Sequence, residues 1–469
     1  MKSRFCPSPT GHMHLGNART ALFNYLAALK HDGCFLLRIE DTDQARSEKV
    51  LADALMVDLH WLGIYWQEGP TIEGPHGPYW QSERQAIYND YYQKLEQLGA
   101  AYPCFCSDAD LSIQRKVQQA ANLPPRYNGA CQQLTVEQIA AKRALGLNPT
   151  LRFRVPVKDT VRFDDYVKGT QEFQTAIIGD FIIRRADGTA SFLFCNAIDD
   201  ALMGVNCALR GEDHLSNTPR QLLMLQALSL PSPHYGHISL ILGADGAPLS
   251  KRNGSMSIAD LRAMGYLPEA VRNYLSRLGH YYENNALLTT AELASQFDFS
   301  HLGTAPARFD QEQLVHWQRE AVLRLNFDDF WAWCCDACAT IVPAAQRDAF
   351  IHAIQGNVLF PSEAYAWATI FFKRTPWQQD VAAQLQHEHL TYCQAAHALL
   401  LDYQQEVFSE NEFKAFVQTL GNCLHIKGKA LYHPLRLALT GEAHGPELAT
   451  IATLVPIKEI AHRFARVIE

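Results

Sequence analysis

The chain has no run of about eighteen uninterrupted apolar residues, which excludes an ordinary membrane-spanning helix. It lacks the make-up of a disordered polypeptide as well. Charged residues are only 19% against 48% hydrophobic, with 18 Tyr, 23 Phe and 8 Trp to build cores. There is no internal repeat and no low-complexity linker. A basic excess is also missing: 41 Lys and Arg against 49 Asp and Glu leave a net charge of -8. Overall charge therefore announces no nucleic-acid partner, although a local basic surface on an acidic protein can still face RNA. An apolar strand pattern begins a few residues after Met1, leaving no space for a signal peptide, so a cytoplasmic protein without membrane association is expected.

What is present is length: 469 residues, about three average domains. Twelve cysteines are scattered, as suits reduced thiols, apart from two groups. Cys104-Phe-Cys106 with Cys131 is a candidate metal site. Cys334-Cys335-Asp-Ala-Cys338 lies beside Phe330, Trp331 and Trp333 on an apolar helical pattern and reads as core.

Arg4 to Cys6 reads as a short strand, followed by a loop punctuated by proline and glycine. Ala18, Ala21, Leu22, Tyr25, Leu26 and Leu29 then recur at helical spacing. A second strand, Cys34 to Ile39, runs into Glu40-Asp-Thr-Asp43. Strand, helix, strand opens a doubly wound parallel sheet, giving an α/β fold class. A helix is expected over 49–62 and a surface loop over 69–79. From about residue 85 the pattern changes to that of an inserted domain. The parallel sheet is expected to resume at Ala190–Cys195 and Cys207–Leu209, with a later strand from His237 to Leu242. Beyond about residue 255 nearly everything reads as helix. The resulting division is 1–84 and 190–250 for the two halves of the sheet domain, 85–189 for the insertion, 251–318 for a connecting segment and 319–469 for an all-α region.

Two motifs bear on chemistry. A histidine and a glycine just ahead of a helix favour anions, because backbone N–H groups and the helix dipole point there. His14-Leu15-Gly16-Asn17 has this form, with His14 able to donate to a phosphate and Gly16 admitting a nucleotide to the backbone. A capping or packing histidine is the alternative. Leu249-Ser250-Lys251-Arg252-Asn253-Gly254 sets two cations and a hydroxyl on a glycine loop, suited to charge developing on a leaving pyrophosphate. Here the alternative is a solvated basic turn.

These pieces occur together with Arg4-Phe-Cys-Pro-Ser-Pro-Thr-Gly, Arg38-Ile-Glu-Asp-Thr-Asp43, Gly74-Pro-His-Gly-Pro-Tyr-Trp-Gln-Ser-Glu-Arg84, Arg210-Gly-Glu-Asp-His and His433-Pro-Leu-Arg-Leu-Ala-Leu-Thr-Gly441. In that order they resemble the bacterial glutamyl-tRNA synthetases, class I aminoacyl-tRNA synthetases, over essentially the whole chain. The resemblance implies a Rossmann-type catalytic domain with an inserted acceptor-end-binding domain, a stem-contact segment and a helical anticodon-binding region. It implies that His14, Gly16, Asn17, Ser250, Lys251 and Arg252 bind ATP, with His14 and Lys251 catalytic and Mg2+ accompanying the nucleotide. Arg4, Ser8, Glu40, Phe192, Asn196 and Arg210 are implied to bind L-glutamate. An arginine gripping each carboxylate and a carboxylate meeting the ammonium is sound chemistry for a dianionic amino acid. Arg4 is assigned to the side-chain carboxylate and Arg210 to the main-chain one, with the reverse as the alternative. The alternative for either arginine is an ion pair with Glu40, Asp41 or Asp43.

Three positions depart from the family pattern. Pro248 replaces the first lysine of the KMSKS signature, Phe192 a common tyrosine, and Gln133 the usual histidine ligand of a zinc site. Glutamine is a poor zinc ligand. Tyr127 can complete a set with Cys104, Cys106 and Cys131, as in the shorter glutamyl-queuosine relatives. Implied partners are tRNA(Glu) and, because no cation stands at Gln355-Gly-Asn-Val358, also tRNA(Gln). A monomer is implied. The rivals are a glutamyl-queuosine synthetase, which lacks the C-terminal region, and a silent paralogue that only binds tRNA.

Overall fold

The computed structural model describes residues 1–43, 47–72, 74–123, 125–157, 159–249, 256–373 and 377–468. These form two units, Met1–Ala263 with Pro268–Leu314, and Met264–Leu267 with Val315–Glu469.

In the first unit the chain opens on strand β1, Lys2–Phe5, and helix α1, Leu15–Lys30. The ring of His14 caps α1, its Nδ1 accepting from the N–H groups of Gly16 and Asn17. Strand β2, Cys34–Leu37, then pairs parallel with β1, setting Arg4 opposite Leu36. The insertion holds β3 (Ala101–Cys104), β4 (Thr150–Phe153), β5 (Thr160–Asp165), β6 (Gly169–Gln174) and β7 (Phe181–Arg184). β3, β4 and β7 make an antiparallel sheet in that order, while β5 and β6 form a separate hairpin. The chain returns to the first sheet with β8, Cys207–Gly211, and β9, His234–Ile238. All neighbours in the order β2-β1-β8-β9 run parallel. Strand order therefore reverses between β1 and β8, and ligands of such sheets bind at the carboxyl ends beside that point.

Two expectations need correction. Ala190–Cys195 is not a strand: Phe192–Leu202 is a helix, with Ser191 at its N-cap and Phe194, Cys195, Ala197, Ile198 and Ala201 buried. A six-residue apolar run does not separate strand from helix, and the strand that precedes it in space is β7. The strand expected from His237 to Leu242 is two strands, β9 and β10 (Ile241–Leu242). They part where the Ser239 carbonyl accepts from Arg19 and the Leu240 N–H donates to Glu212. β10 pairs instead with β11, Ala307–Arg308.

The second unit is helical through its described length, from Phe327–Cys338 to Ile457–Ile468. Phe330, Phe350, Phe371, Phe416, Leu435 and Phe464 lie in its interior. Cys334 and Cys338 are buried as expected for core residues, and Cys335 is half-buried. No helix among the described residues is long and apolar enough to cross a membrane.

Candidate active site

A cavity of about 490 Å³ opens at the carboxyl ends of β1, β2 and β8. Arg4, Ser8, His14, Gly16, Asn17, Glu40, Phe192, Asn196 and Arg210 all line it, together with Pro248. Ser250, Lys251 and Arg252 lie outside the described residues. Gly16 sits directly over the capping imidazole: a Cβ there would lie 3.0 Å from His14 Cε1. The glycine makes room for the ring as well as for any nucleotide.

The two arginines stand in different electrostatic settings. Arg4 Nη2 pairs with Asp200 at 3.2 Å, and its Nη1 donates to the Leu209 carbonyl at 3.3 Å. Burial alone would depress this guanidinium's pKa, but Asp200 and Cys6 together more than compensate and raise it. The partner is thus Asp200 rather than Glu40, Asp41 or Asp43. Arg210 donates from Nε to His237 Nε2 at 3.1 Å and from Nη2 to Thr218 Oγ1 at 2.7 Å. Its Nη1 is buried with no hydrogen-bond partner among the described residues. Burial lowers its pKa, the expected sign for a cation held mainly by neutral groups.

Glu40 accepts from Asn196 Nδ2 at 2.7 Å and from Arg38 Nη2 at 3.1 Å. Burial lifts its carboxyl above the usual range despite both donors. Asn196 Oδ1 in turn accepts from Gln221 at 2.9 Å, which fixes the amide's orientation. Phe192 heads its helix, its ring centroid 5.2 Å from that of His214.

Beneath this layer lies a charge network that was not singled out from sequence. Fully buried Arg38 reaches Asp200 at 2.8 Å, Glu40 at 3.1 Å and Asp199 at 3.8 Å. Asp199 also accepts from Arg84 at 2.7 Å, Tyr88 at 2.8 Å and Gln81 at 2.9 Å. The available signal was Asp199-Asp200 inside an apolar run, because two adjacent acids there must find buried cations. Arg38 and Arg84 both sit in quoted motifs.

In the insertion, Cys104, Cys106 and Cys131 have their sulfur atoms within 4.8 Å of one another. Tyr127 Oη lies 3.4 Å from Cys104 Sγ and 3.5 Å from Cys106 Sγ. Burial works against ionisation of Cys104, yet hydrogen bonding with Tyr127 and Arg152 brings its pKa down to about 7. Gln133 is exposed.

Residues 1–316 match the family model described as tRNA synthetases class I (E and Q), catalytic domain, and residues 327–468 an anticodon binding domain. The chain is 52% identical over 465 residues to glutamate--tRNA ligase 2 of Coxiella burnetii (strain RSA 331 / Henzerling II), covering 99% of this chain and 98% of that protein. It is also 52% identical over 461 residues to glutamate--tRNA ligase 2 of Alkalilimnicola ehrlichii, covering 97% and 95%. The chain belongs to the glutamate--tRNA ligase family of class I synthetases. A solved glutamate tRNA ligase from Elizabethkingia meningosepticum, in complex with its amino acid, is similar across 100% of this chain and 99% of that one. The TM-score is 0.89 at 26% identity. Family membership gives the parallel sheet and the helical region their roles as catalytic and anticodon-binding domains.

Proposed function

We propose that this synthetase joins L-glutamate to tRNA through a glutamyl-adenylate formed in the cavity at the sheet's carboxyl edge. Arg210 carries the reading: it lines the cavity as a buried guanidinium, and its Nη1, without a hydrogen-bond partner among the described residues, suits a substrate carboxylate. Arg4 meets the other carboxylate, Glu40 and Asn196 the ammonium, and Ser8 and Phe192 shape the pocket. The main-chain carboxylate attacks the α-phosphate of ATP at the His14, Gly16 and Asn17 end of α1, and pyrophosphate leaves. A terminal tRNA hydroxyl then attacks the mixed anhydride and releases AMP. Positioning and electrostatics carry both steps, and no side chain is modified. Ser250, Lys251 and Arg252 are assigned to the departing pyrophosphate by motif. Enzymes of this family use ATP with Mg2+, which supplies charge neutralisation; no residue of this chain is assigned to hold it.

The insertion, 85–189, receives the acceptor end in this reading. Residues 251–318 contact the stem, and 319–469 read the anticodon, where unstacked bases are accessible to side chains. The chain acts as a monomer. Pyrophosphate exchange with glutamate, run with and without tRNA, tests the whole scheme. Exchange that requires tRNA supports it, and rapid exchange without tRNA counts against transfer to tRNA as the second step and favours the glutamyl-queuosine type.

The cysteine group suits zinc. Tetrahedral zinc with sulfur bonds of about 2.3 Å spaces its sulfurs roughly 3.8 Å apart, and Cys106 and Cys131 already stand 3.7 Å apart. Cys104, Cys106, Cys131 and Tyr127 would hold it as a structural ion, with no position left for a substrate. Metal analysis giving about one zinc per chain supports this.

Anticodon preference is proposed to be relaxed toward tRNA(Gln). The Gln355 amide is committed to the Val322 and Leu325 carbonyls at 2.9 and 2.8 Å, and no cation lies within 355–358. Without a base-specific contact, about 1 to 3 kcal/mol of discrimination is absent. Charging tRNA(Glu) more than about a hundredfold better than tRNA(Gln) would sink the idea.

A further inference from the structure

Arg210 is oriented by a chain of three buried side chains that ends in the insertion. Its Nε–H points at His237 Nε2, and Thr218 Oγ1, which accepts from Arg210 Nη2, lies 3.0 Å from the same nitrogen. Nε2 must therefore accept, which places the imidazole proton on Nδ1. Nδ1 faces Asp165 Oδ2 at 2.5 Å. Asp165 is itself immobilised, its Oδ1 accepting from the N–H groups of Val167, Lys168 and His237 at 2.9, 2.9 and 3.1 Å. The Arg210 and His237 ring protons thereby have one consistent arrangement, with Nε2 accepting and Nδ1 donating.

We propose that Asp165 and His237 are positioning residues for the carboxylate-binding arginine: Asp165 fixes the tautomer of His237, and His237 fixes the plane of Arg210. The inference rests on the reading of Arg210 given above. Asp165 closes β5 in the inserted segment, whereas Arg210 and His237 belong to β8 and β9 of the parallel sheet. Three residues on, Lys168 pairs with Glu212 at 2.5 Å, two residues past Arg210. The hairpin turn thus grips the Arg210-Gly-Glu motif from two directions, and the amino-acid pocket is completed by the segment assigned to the acceptor end.

Asp165→Asn is the decisive substitution. Its Oδ1 can keep the three backbone bonds, but the amide N–H then faces His237 Nδ1 and needs it as an acceptor. The ring proton moves to Nε2, against the Arg210 Nε–H. With tRNA present, the KM for glutamate should rise about tenfold or more, the scale set by losing a charge-assisted hydrogen bond, while the KM for ATP stays within about twofold. In an Arg210→Lys background the same substitution should add nothing further, because the two act through one contact. Thr218→Val, which removes the hydroxyl between Arg210 and His237, should move the glutamate KM in the same direction and serves if Asp165→Asn fails to fold. If Arg210→Lys leaves the glutamate KM unchanged, the reading of Arg210 itself fails. If Arg210→Lys raises it while Asp165→Asn and Thr218→Val do not, or if the effects add, the positioning role alone is overturned. Equal rises in both KM values would mean general loosening and also overturn it.

Discussion

The two units keep their interiors in different ways. Among the described residues, the first buries Arg4, Arg38, Glu40, Arg84, Asp165, Asp199, Asp200, Arg210 and His237 around one cavity. Among the described residues of the second, Arg463 is the charged residue whose side chain is buried; Gln318 and Thr440 are buried polar residues, and the core is otherwise aromatic, aliphatic and cysteine. Burying charge gives little net stability, because desolvation consumes most of the Coulombic gain. A unit that does so repeatedly beside a cavity is spending stability on fixed geometry and on a field for a charged ligand. The helical unit has no such requirement and packs like an ordinary bundle.

The sharpest way to break this contrast is Asp200→Ala. It takes from Arg4 its carboxylate, in a buried site beside Arg38, and should destabilise the first unit by about 3 to 5 kcal/mol in denaturant titration. A loss below about 1 kcal/mol, the scale of a surface pair, would show the network to be solvated.

Acid comes next. Burial would raise the Asp200 carboxyl, but Arg4 and Arg38 hold it below the usual range, and His237 with the backbone N–H groups does the same for Asp165. For carboxyls depressed by folding, the stabilisation is full above the unfolded pKa, about 4, and is lost as pH falls through the folded value. Glu40, raised by burial, works in the opposite sense and softens the slope. Titrated from pH 6 to 3, the first unit should lose its protection in hydrogen exchange before the second. Simultaneous loss would count against the contrast.

A smaller change is expected from Arg463→Met in the second unit. Arg463 donates to the carbonyls of Leu439 and Ile370, so one buried and one half-buried acceptor lose their donor at a cost of about 1 to 3 kcal/mol. A cost above 4 kcal/mol would mean that this unit too depends on buried charge. Smallest in stability is Phe192→Tyr, within about 0.5 kcal/mol, since the ring lines the cavity rather than the core. Its effect should appear in the glutamate KM, measured alongside the melting temperature.

How far each unit was legible follows from the same difference. The parallel sheet and the cavity-lining residues could be read from motifs, because a site demands particular residue types at particular points. Phe192–Leu202 was misread since its apolar residues satisfy both periods over six positions, and only Ser191 ahead of it marks a helix start. Asp165 and His237 were invisible because they lie 45 and 27 residues from the arginine they serve, and Thr218, only eight away, carries no motif; a tautomer leaves no trace in composition. The all-α region was legible as helices but not as a reader of bases: the carbonyls that occupy Gln355 lie at the C-terminal end of the helix Gln311–Arg324, some thirty residues away.

The cap on α1 has one more consequence, for acid–base chemistry. Burial lowers the His14 pKa, and because its Nδ1 accepts from two backbone N–H groups the neutral ring is favoured, with its remaining proton on Nε2. Protonating Nδ1 would put a cation against the positive end of the helix and remove its cap. His14 can therefore lend a hydrogen bond to a ligand but is poorly built to surrender or collect a proton. If His14 shapes the pH profile at all, it does so as a group whose protonation undoes the cap, not as a general base.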